Sequence, residues 1–120
     1  MLDLAGELNY FRSFRAANSE FFEVSEPASD ILCFKPKVRG LNSLSLGFSA
    51  LVHGNEVLGL PILNTLMRAL LSGEMRSPHC FYFALGNLEA FHLNVRFVEK
   101  DLNRCFGLNA RSNYEERRAR

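Results

Sequence analysis

Cysteine is scarce in this chain, and what there is lacks pattern. Cys33, Cys80 and Cys105 form an odd set with no CxxC spacing, which argues against a disulfide framework and against a structural zinc site built of thiolates. Cys33 and Cys80 fall in apolar, strand-like runs where buried free thiols are common, so the expected setting is a reducing, cytoplasmic one. A charge excess is also missing. Fourteen Lys and Arg stand against thirteen Asp and Glu, for a net charge of +1, which removes any bulk electrostatic case for nucleic acid or a membrane surface as partner. No apolar stretch reaches the about 18 residues that a membrane span needs. The opening residues Met1 to Glu7 are acidic rather than basic, unlike a secretory leader. Internal repeats and low-complexity tracts are absent as well.

What remains is the composition of a globular protein. The 120 residues are 48% hydrophobic and 22% charged, enough to build a core and the size of one domain or part of one. Residues 1–30 are weakly patterned: Leu4, Leu8, Phe11 and Phe14 keep helical spacing, interrupted by Gly6. Phe21 to Val24 reads as a short strand, Glu26 to Asp30 as a turn, and Ile31 to Phe34 as a strand ended by Pro36. Leu44 to Val52 has the alternation and then the apolar run of a buried strand. A helix is predicted from about Asn55 to Ser72, with Leu63, Leu66, Met67, Leu70 and Leu71 on one stripe and Gly73 at its end. Cys80 to Leu85 is a second buried strand. A short helix around Glu89 to His92 follows, then an extended Val95 to Val98, a loop over Asp101 to Gly107, and a last helix from Tyr114 that Asn113 would cap. Strand, helix, strand in this order predicts a βαβ unit with a parallel sheet, and ligands bind at the C-terminal strand ends of such sheets.

Two constellations carry chemistry. His53 and Glu56 stand three positions apart at the end of an apolar run, with Gly54 between them to permit a tight turn. An imidazole and a carboxylate so placed are two of the three protein ligands of a catalytic zinc site. The same four residues also suit a buried histidine beside a glutamate at a helix N-terminus. The second constellation is Arg96, Asp101, Asn103 and Arg104. Arg104 can grip a carboxylate with two hydrogen bonds, Asn103 can add a neutral donor, and Arg96 can stabilise an oxyanion. Such a charge run is also a common form of solvated loop. His79 and His92 read as surface or capping histidines, Phe81 to Phe83 as core, and Arg111, Arg117, Arg118 and Arg120, broken by Glu115 and Glu116, as a solvated helix face.

Taken together, three blocks resemble the succinylglutamate desuccinylase and aspartoacylase family of zinc hydrolases: Ser49 to Glu56, Leu85 to Ala90, and Arg96-Phe97 with Asp101 to Gly107. Their order and spacing both fit over roughly residues 31–120. The resemblance implies a carboxypeptidase-like three-layer α/β/α fold with a mostly parallel sheet. Residues 31–120 would be the N-terminal part of the catalytic domain, preceded by a segment over residues 1–30. It implies hydrolysis of the amide of an N-acylated acidic amino acid, with one Zn²⁺ per complete site. His53 and Glu56 would be zinc ligands, Arg96 would polarise the scissile carbonyl, and Asn103 and Arg104 would bind a substrate carboxylate. Asp101 would orient its loop. The long segment before His53 favours the succinylglutamate desuccinylases, hence succinate and glutamate as products and a place in arginine catabolism; acyl-aspartate or ester substrates are the alternatives. Asn87-Leu88 replaces the Asn-Pro frequent in the family.

The family's third ligand, a histidine, and its general-base glutamate lie further along than Arg120. Two ligands hold zinc weakly, so residues 1–120 alone are expected to be nearly inactive. A carboxypeptidase-type peptidase shares the His53 and Glu56 logic but fits the Asp101 to Arg104 block less well. A non-catalytic interaction domain, self-associating as a homo-oligomer, is the reading from another class.

Overall fold

The computed structural model describes residues 2–38, 40, 42–99, 101, 102 and 114–119. The predicted binding residues Asn103 and Arg104, together with Cys105, Asn113 and most of the Asp101 to Gly107 loop, lie outside them. Two compact units emerge: residues 1–48 with 60–84, and residues 49–59 with 85–120.

In the first unit, helix α1 (Leu4–Ser13) starts where the Asp3 carboxylate accepts the Gly6 amide at 3.0 Å, supplying one of the donors a helix leaves open at its start. Leu8 and Phe11 are its buried stripe. Strands β1 (Phe22–Ala28) and β2 (Ile31–Pro36) form an antiparallel hairpin. The turn predicted over Glu26 to Asp30 is therefore much shorter: Ala28 pairs with Ile31, leaving only Ser29 and Asp30 to reverse the chain. Pro27 is tolerated because β1 is an edge strand and the register shifts between Ser25 and Ala28, the kind of position where a missing amide costs no ladder bond. Asp30 takes a left-handed φ of 57°, which aspartate accepts more readily than most residues.

The sheet order is β1-β2-β4-β3, with β3 at Ser45–Ala50 and β4 at Cys80–Leu85. β2 and β4 are antiparallel. The Cys80 amide donates to the Leu44 carbonyl at the start of the β3/β4 pair, and the Gly86 amide to the Ala50 carbonyl at its end, so these two strands run parallel. Helix α2 (Gly59–Ser72) connects them. The expected βαβ unit is thus present, and the α/β class holds, but the sheet is mixed. The difference arises because a two-residue turn joins only antiparallel strands. The core of this unit is largely phenylalanine: Phe11, Phe22, Phe34 and Phe83 are essentially inaccessible, and Phe34 meets Phe83 edge-on with ring centroids 5.1 Å apart. Leu63, Met67 and Leu70 give α2 its buried stripe, with Asn64 among them. The Asn64 side-chain amide donates to the Glu7 carbonyl and carboxylate at 2.9 and 2.7 Å, tying α2 to α1. Cys33 and Cys80 bring their Sγ atoms to 3.8 Å across β2 and β4. Among the described residues no helix is long and apolar enough to cross a membrane.

Arg12 clamps the hairpin. Its Nε and Nη2 donate to the two carboxylate oxygens of Asp30 at 2.9 and 3.1 Å, and the hydrogen bond to Asp30 holds the guanidinium pKa above its ordinary value. Asp30 is buried while Arg12 is about a third exposed. Arg12→Ala therefore strands a buried carboxylate, and the expected loss is about 2 kcal/mol, below the range for a fully buried pair because solvent reaches the arginine. Urea titration measures it; a change under about 0.5 kcal/mol would refute this account of the clamp.

Candidate active site

Everything that follows lies in the second unit. Strand β3 ends at Ala50 because Leu51 turns to a left-handed φ of 60°, a conformation a leucine holds only when its surroundings fix it. Those surroundings are the amides of Gly86 and Asn87, which donate to the Ala50 and Leu51 carbonyls at 2.8 and 2.6 Å. The chain then folds into a turn rather than the helix predicted from Asn55. The Glu56 amide donates to the His53 carbonyl at 3.1 Å, and α2 begins only at Gly59.

That turn rests on helix α3 (Leu88–Leu93). Asn87 is its N-cap, with Oδ1 accepting the Ala90 amide at 3.1 Å. A Cβ at Gly54 would lie 2.3 Å from the Ala90 carbonyl carbon and 2.4 Å from the Phe91 nitrogen, so only glycine lets the turn come this close. Helix α3 ends at Asn94, whose φ of 55° redirects the chain. The next residues carry Arg96, whose carbonyl accepts the Gly54 amide at 3.0 Å.

The side chains converge accordingly. His53 Nδ1 and Glu56 Oε2 are 3.3 Å apart. His53 Nε2 lies 3.0 and 3.1 Å from the two oxygens of Asp101. Arg96 Nη1 donates to Glu56 Oε1 at 3.2 Å. The imidazole is mostly covered, with side-chain exposure of 12%, as is Asp101 at 16%, whereas Glu56 and Arg96 are more than half open. The structure thus brings His53, Glu56, Arg96 and Asp101 together. In the first unit, His79 Nδ1 accepts the Leu44 amide.

The electrostatics favour a cation between the first two groups. Each ring nitrogen faces a carboxylate, Nε2 that of Asp101 and Nδ1 that of Glu56, and a neutral ring donates from only one of them. With the ring neutral and its hydrogen on Nε2, the Nδ1 lone pair points at Oε2, a second acceptor. Two acceptors at 3.3 Å are held together best by a positive charge, either a proton or a metal ion. Among the described residues no group of three or more His, Cys, Asp or Glu side chains could hold a metal ion.

Asp101, expected to orient its own loop, also stands against the imidazole. Helix α4 (Tyr114–Arg118), expected to be a solvated face, instead has Glu115 fully buried and Arg118 Nε donating to the Gly86 carbonyl at 2.9 Å. Arg117 is the exposed residue that reading expected. No pattern in Tyr114 to Arg118 marks Glu115 as the buried one of two adjacent glutamates.

Comparison with known proteins bears on the family of the chain. Residues 43–120 match the family described as the succinylglutamate desuccinylase/aspartoacylase catalytic domain. The chain is 45% identical over 65 residues to a succinylglutamate desuccinylase of Pseudomonas paraeruginosa, covering 54% of this chain and 20% of that protein. It is 31% identical over 105 residues to one from Shewanella piezotolerans, covering 88% and 30% respectively. The crystal structure of the Chromobacterium violaceum succinylglutamate desuccinylase superposes with a TM-score of 0.72 at 24% identity, over 94% of this chain and 38% of that one. The chain therefore spans a third or less of the length of these two curated relatives. By the match over residues 43–120, and by the relatives that share it, this chain belongs to the succinylglutamate desuccinylase/aspartoacylase family.

Proposed function

We propose that this chain carries part of the active site of a zinc-dependent hydrolase that cleaves the amide of N-succinylglutamate to succinate and glutamate, a step of arginine catabolism. The observation that carries the reading is the pair His53 Nδ1 and Glu56 Oε2, facing each other at 3.3 Å on a turn fixed by Gly54. Relatives named succinylglutamate desuccinylase support the substrate.

His53 and Glu56 would hold the zinc, and by the family resemblance a third ligand and a general base would complete the site. Bound zinc would contribute Lewis acidity toward the scissile carbonyl. Asp101 keeps a proton on Nε2, so that Nδ1 stays available as a ligand, and it fixes the ring's orientation. Arg96 is a cation within hydrogen-bond reach of Glu56. It would stabilise the negative charge that develops on the carbonyl oxygen as water adds and the carbon–nitrogen bond breaks. Asn103 and Arg104 would bind a carboxylate of the substrate, Arg104 with two parallel hydrogen bonds. The substrate is thus a small acylamino acid with three carboxylates, one of which Asn103 and Arg104 would grip.

These roles separate kinetically. In the full-length protein, Arg96→Ala is expected to lower kcat about 100-fold with little change in KM, because its interaction strengthens only in the transition state. Arg104→Ala is expected to raise KM about 10-fold or more with a smaller effect on kcat. A screen of N-succinylglutamate, N-acetylaspartate and short peptides should rank the first highest. Preference for acetylaspartate would move the substrate within the family, preference for peptides would replace the reading, and wild-type kinetics in both arginine variants would remove the assigned roles.

A further inference from the structure

The segment that bears Arg96 has no secondary structure of its own. From Val95 to Glu99 the chain belongs to neither a helix nor a strand, so its position must come from bonds made to it by other residues. At one end the Arg96 carbonyl is tied to the Gly54 amide. At the other end stands Glu115. Its Oε1 accepts the Glu99 amide at 2.7 Å, and its Oε2 accepts the Val98 amide at 3.4 Å and the Asn87 side-chain amide at 2.8 Å. The side chain is fully buried. Burying a carboxylate is costly unless donors surround it, and these donors come from two separate stretches of the unit. Asn87 in turn caps α3 with its other atom, and α3 is the surface on which the His53 turn rests. Helix α4 is itself anchored, since Arg118 donates to the Gly86 carbonyl.

We propose that Glu115 is the positioning residue of this site: by clamping Val98 and Glu99 to the cap of α3, it holds the Arg96 guanidinium beside the His53–Glu56 pair. The partners described for it are two backbone amides and the Asn87 side chain, so the role proposed is to position the segment through its backbone. The proposal rests on the reading of Arg96 as the group that stabilises the developing oxyanion.

The hydrogen-bond pattern supplies its own test. Glu115→Gln replaces one acceptor by an NH₂ group, which then faces either the Asn87 amide or the Glu99 amide, donor against donor. Adding Asn87→Asp reverses the partner: the aspartate caps α3 with one oxygen and accepts the glutamine NH₂ with the other. The measurements are made on the full-length, zinc-loaded protein. Glu115→Gln is expected to lower kcat about 10- to 100-fold, the scale of an ångström-sized misplacement, with KM within about threefold and zinc content unchanged. The Asn87→Asp/Glu115→Gln protein should regain at least tenfold of the loss. In an Arg96→Ala background Glu115→Gln should add almost nothing, because the group it positions is gone. Hydrogen exchange at Glu99 should quicken in Glu115→Gln and slow again in the double variant, where Oε1 still accepts its amide, while Leu63 to Leu70 stay protected.

An unchanged kcat in Glu115→Gln, or a loss that adds fully to that of Arg96→Ala, overturns the proposal. Should Glu115→Gln fail to fold, the double variant decides: near wild-type turnover supports the clamp, and a large loss in a folded protein refutes it. Should the wild-type protein hydrolyse no acylamino acid, the functional reading fails by itself, and the exchange rates alone decide whether Glu115 holds the Val98–Glu99 segment.

Discussion

Gly54→Ala is expected to cost the second unit about 3 kcal/mol, a larger effect than any ordinary surface substitution. The reason is geometric. The added methyl would meet backbone atoms of α3 at 2.3 and 2.4 Å, with the Ala90 Cβ at 2.6 Å behind them. A flexible side chain can swing away from such a clash, but a capped helix cannot. Either the His53 turn lifts off α3 or α3 shifts as a body. Lifting the turn breaks the bond from the Gly54 amide to the Arg96 carbonyl and with it the convergence of His53, Glu56 and Arg96. Denaturant unfolding, followed by probes in α3 and separately in α2, would measure the loss. A variant within about 0.5 kcal/mol of wild type would mean that the turn does not bear on α3 as described. The prediction holds whether or not the protein is an enzyme, because it uses packing alone.

The same glycine shows how much of the site the sequence made legible. His53, Glu56 and Arg96 could be singled out because a ligand set and an anion-binding group demand particular residue types, and those types are visible in any sequence. Gly54 could be read as a turn-former for the same reason. What supports the turn could not be read. Nothing in Leu88 to Leu93 says that its backbone is the floor under His53, because a floor is made by tertiary approach. Glu115 is harder still. It lies beside Glu116 in a short, highly charged helix, and a charged helix is usually a solvated one. Burial of one glutamate is decided by the amides of Val98 and Glu99 coming to it. On the scale of the fold, the βαβ unit followed from hydrophobic pattern, whereas β1 was cut short because Pro27 looked like a turn. Its edge position makes the proline harmless, and edge position is a property of the whole sheet. The late start of α2 has a physical cause as well. Helical dihedrals at residues 55–58 would compete with the turn that brings Glu56 back to His53, where the Glu56 amide donates to the His53 carbonyl.

His53→Ala in the full-length protein is expected to abolish stoichiometric zinc binding and to lower kcat/KM by at least ~1,000-fold, as befits loss of a metal ligand. The neighbouring Asp101→Asn separates that reading from a purely structural one. An asparagine can still meet Nε2, but its neutral oxygen holds the proton there less strongly and its NH₂ faces the ring with the wrong polarity. Zinc affinity should fall by about 10- to 100-fold, the usual cost of losing a partner behind a metal-bound histidine. Thermal stability without metal should change far less. Dialysis against a zinc buffer and competition with a chromophoric chelator measure both variants without relying on turnover. If His53→Ala kept its zinc, the ligand assignment would be wrong, and the 3.3 Å approach of Nδ1 to Glu56 would have to be bridged by a proton. If Asp101→Asn left affinity intact while His53→Ala destroyed it, the imidazole would be oriented by the turn alone, and the carboxylate 3.0 Å behind it would matter to folding rather than to the metal. The graded outcome, loss in one variant and weakening in the other, is the one that a histidine ligand backed by a carboxylate requires.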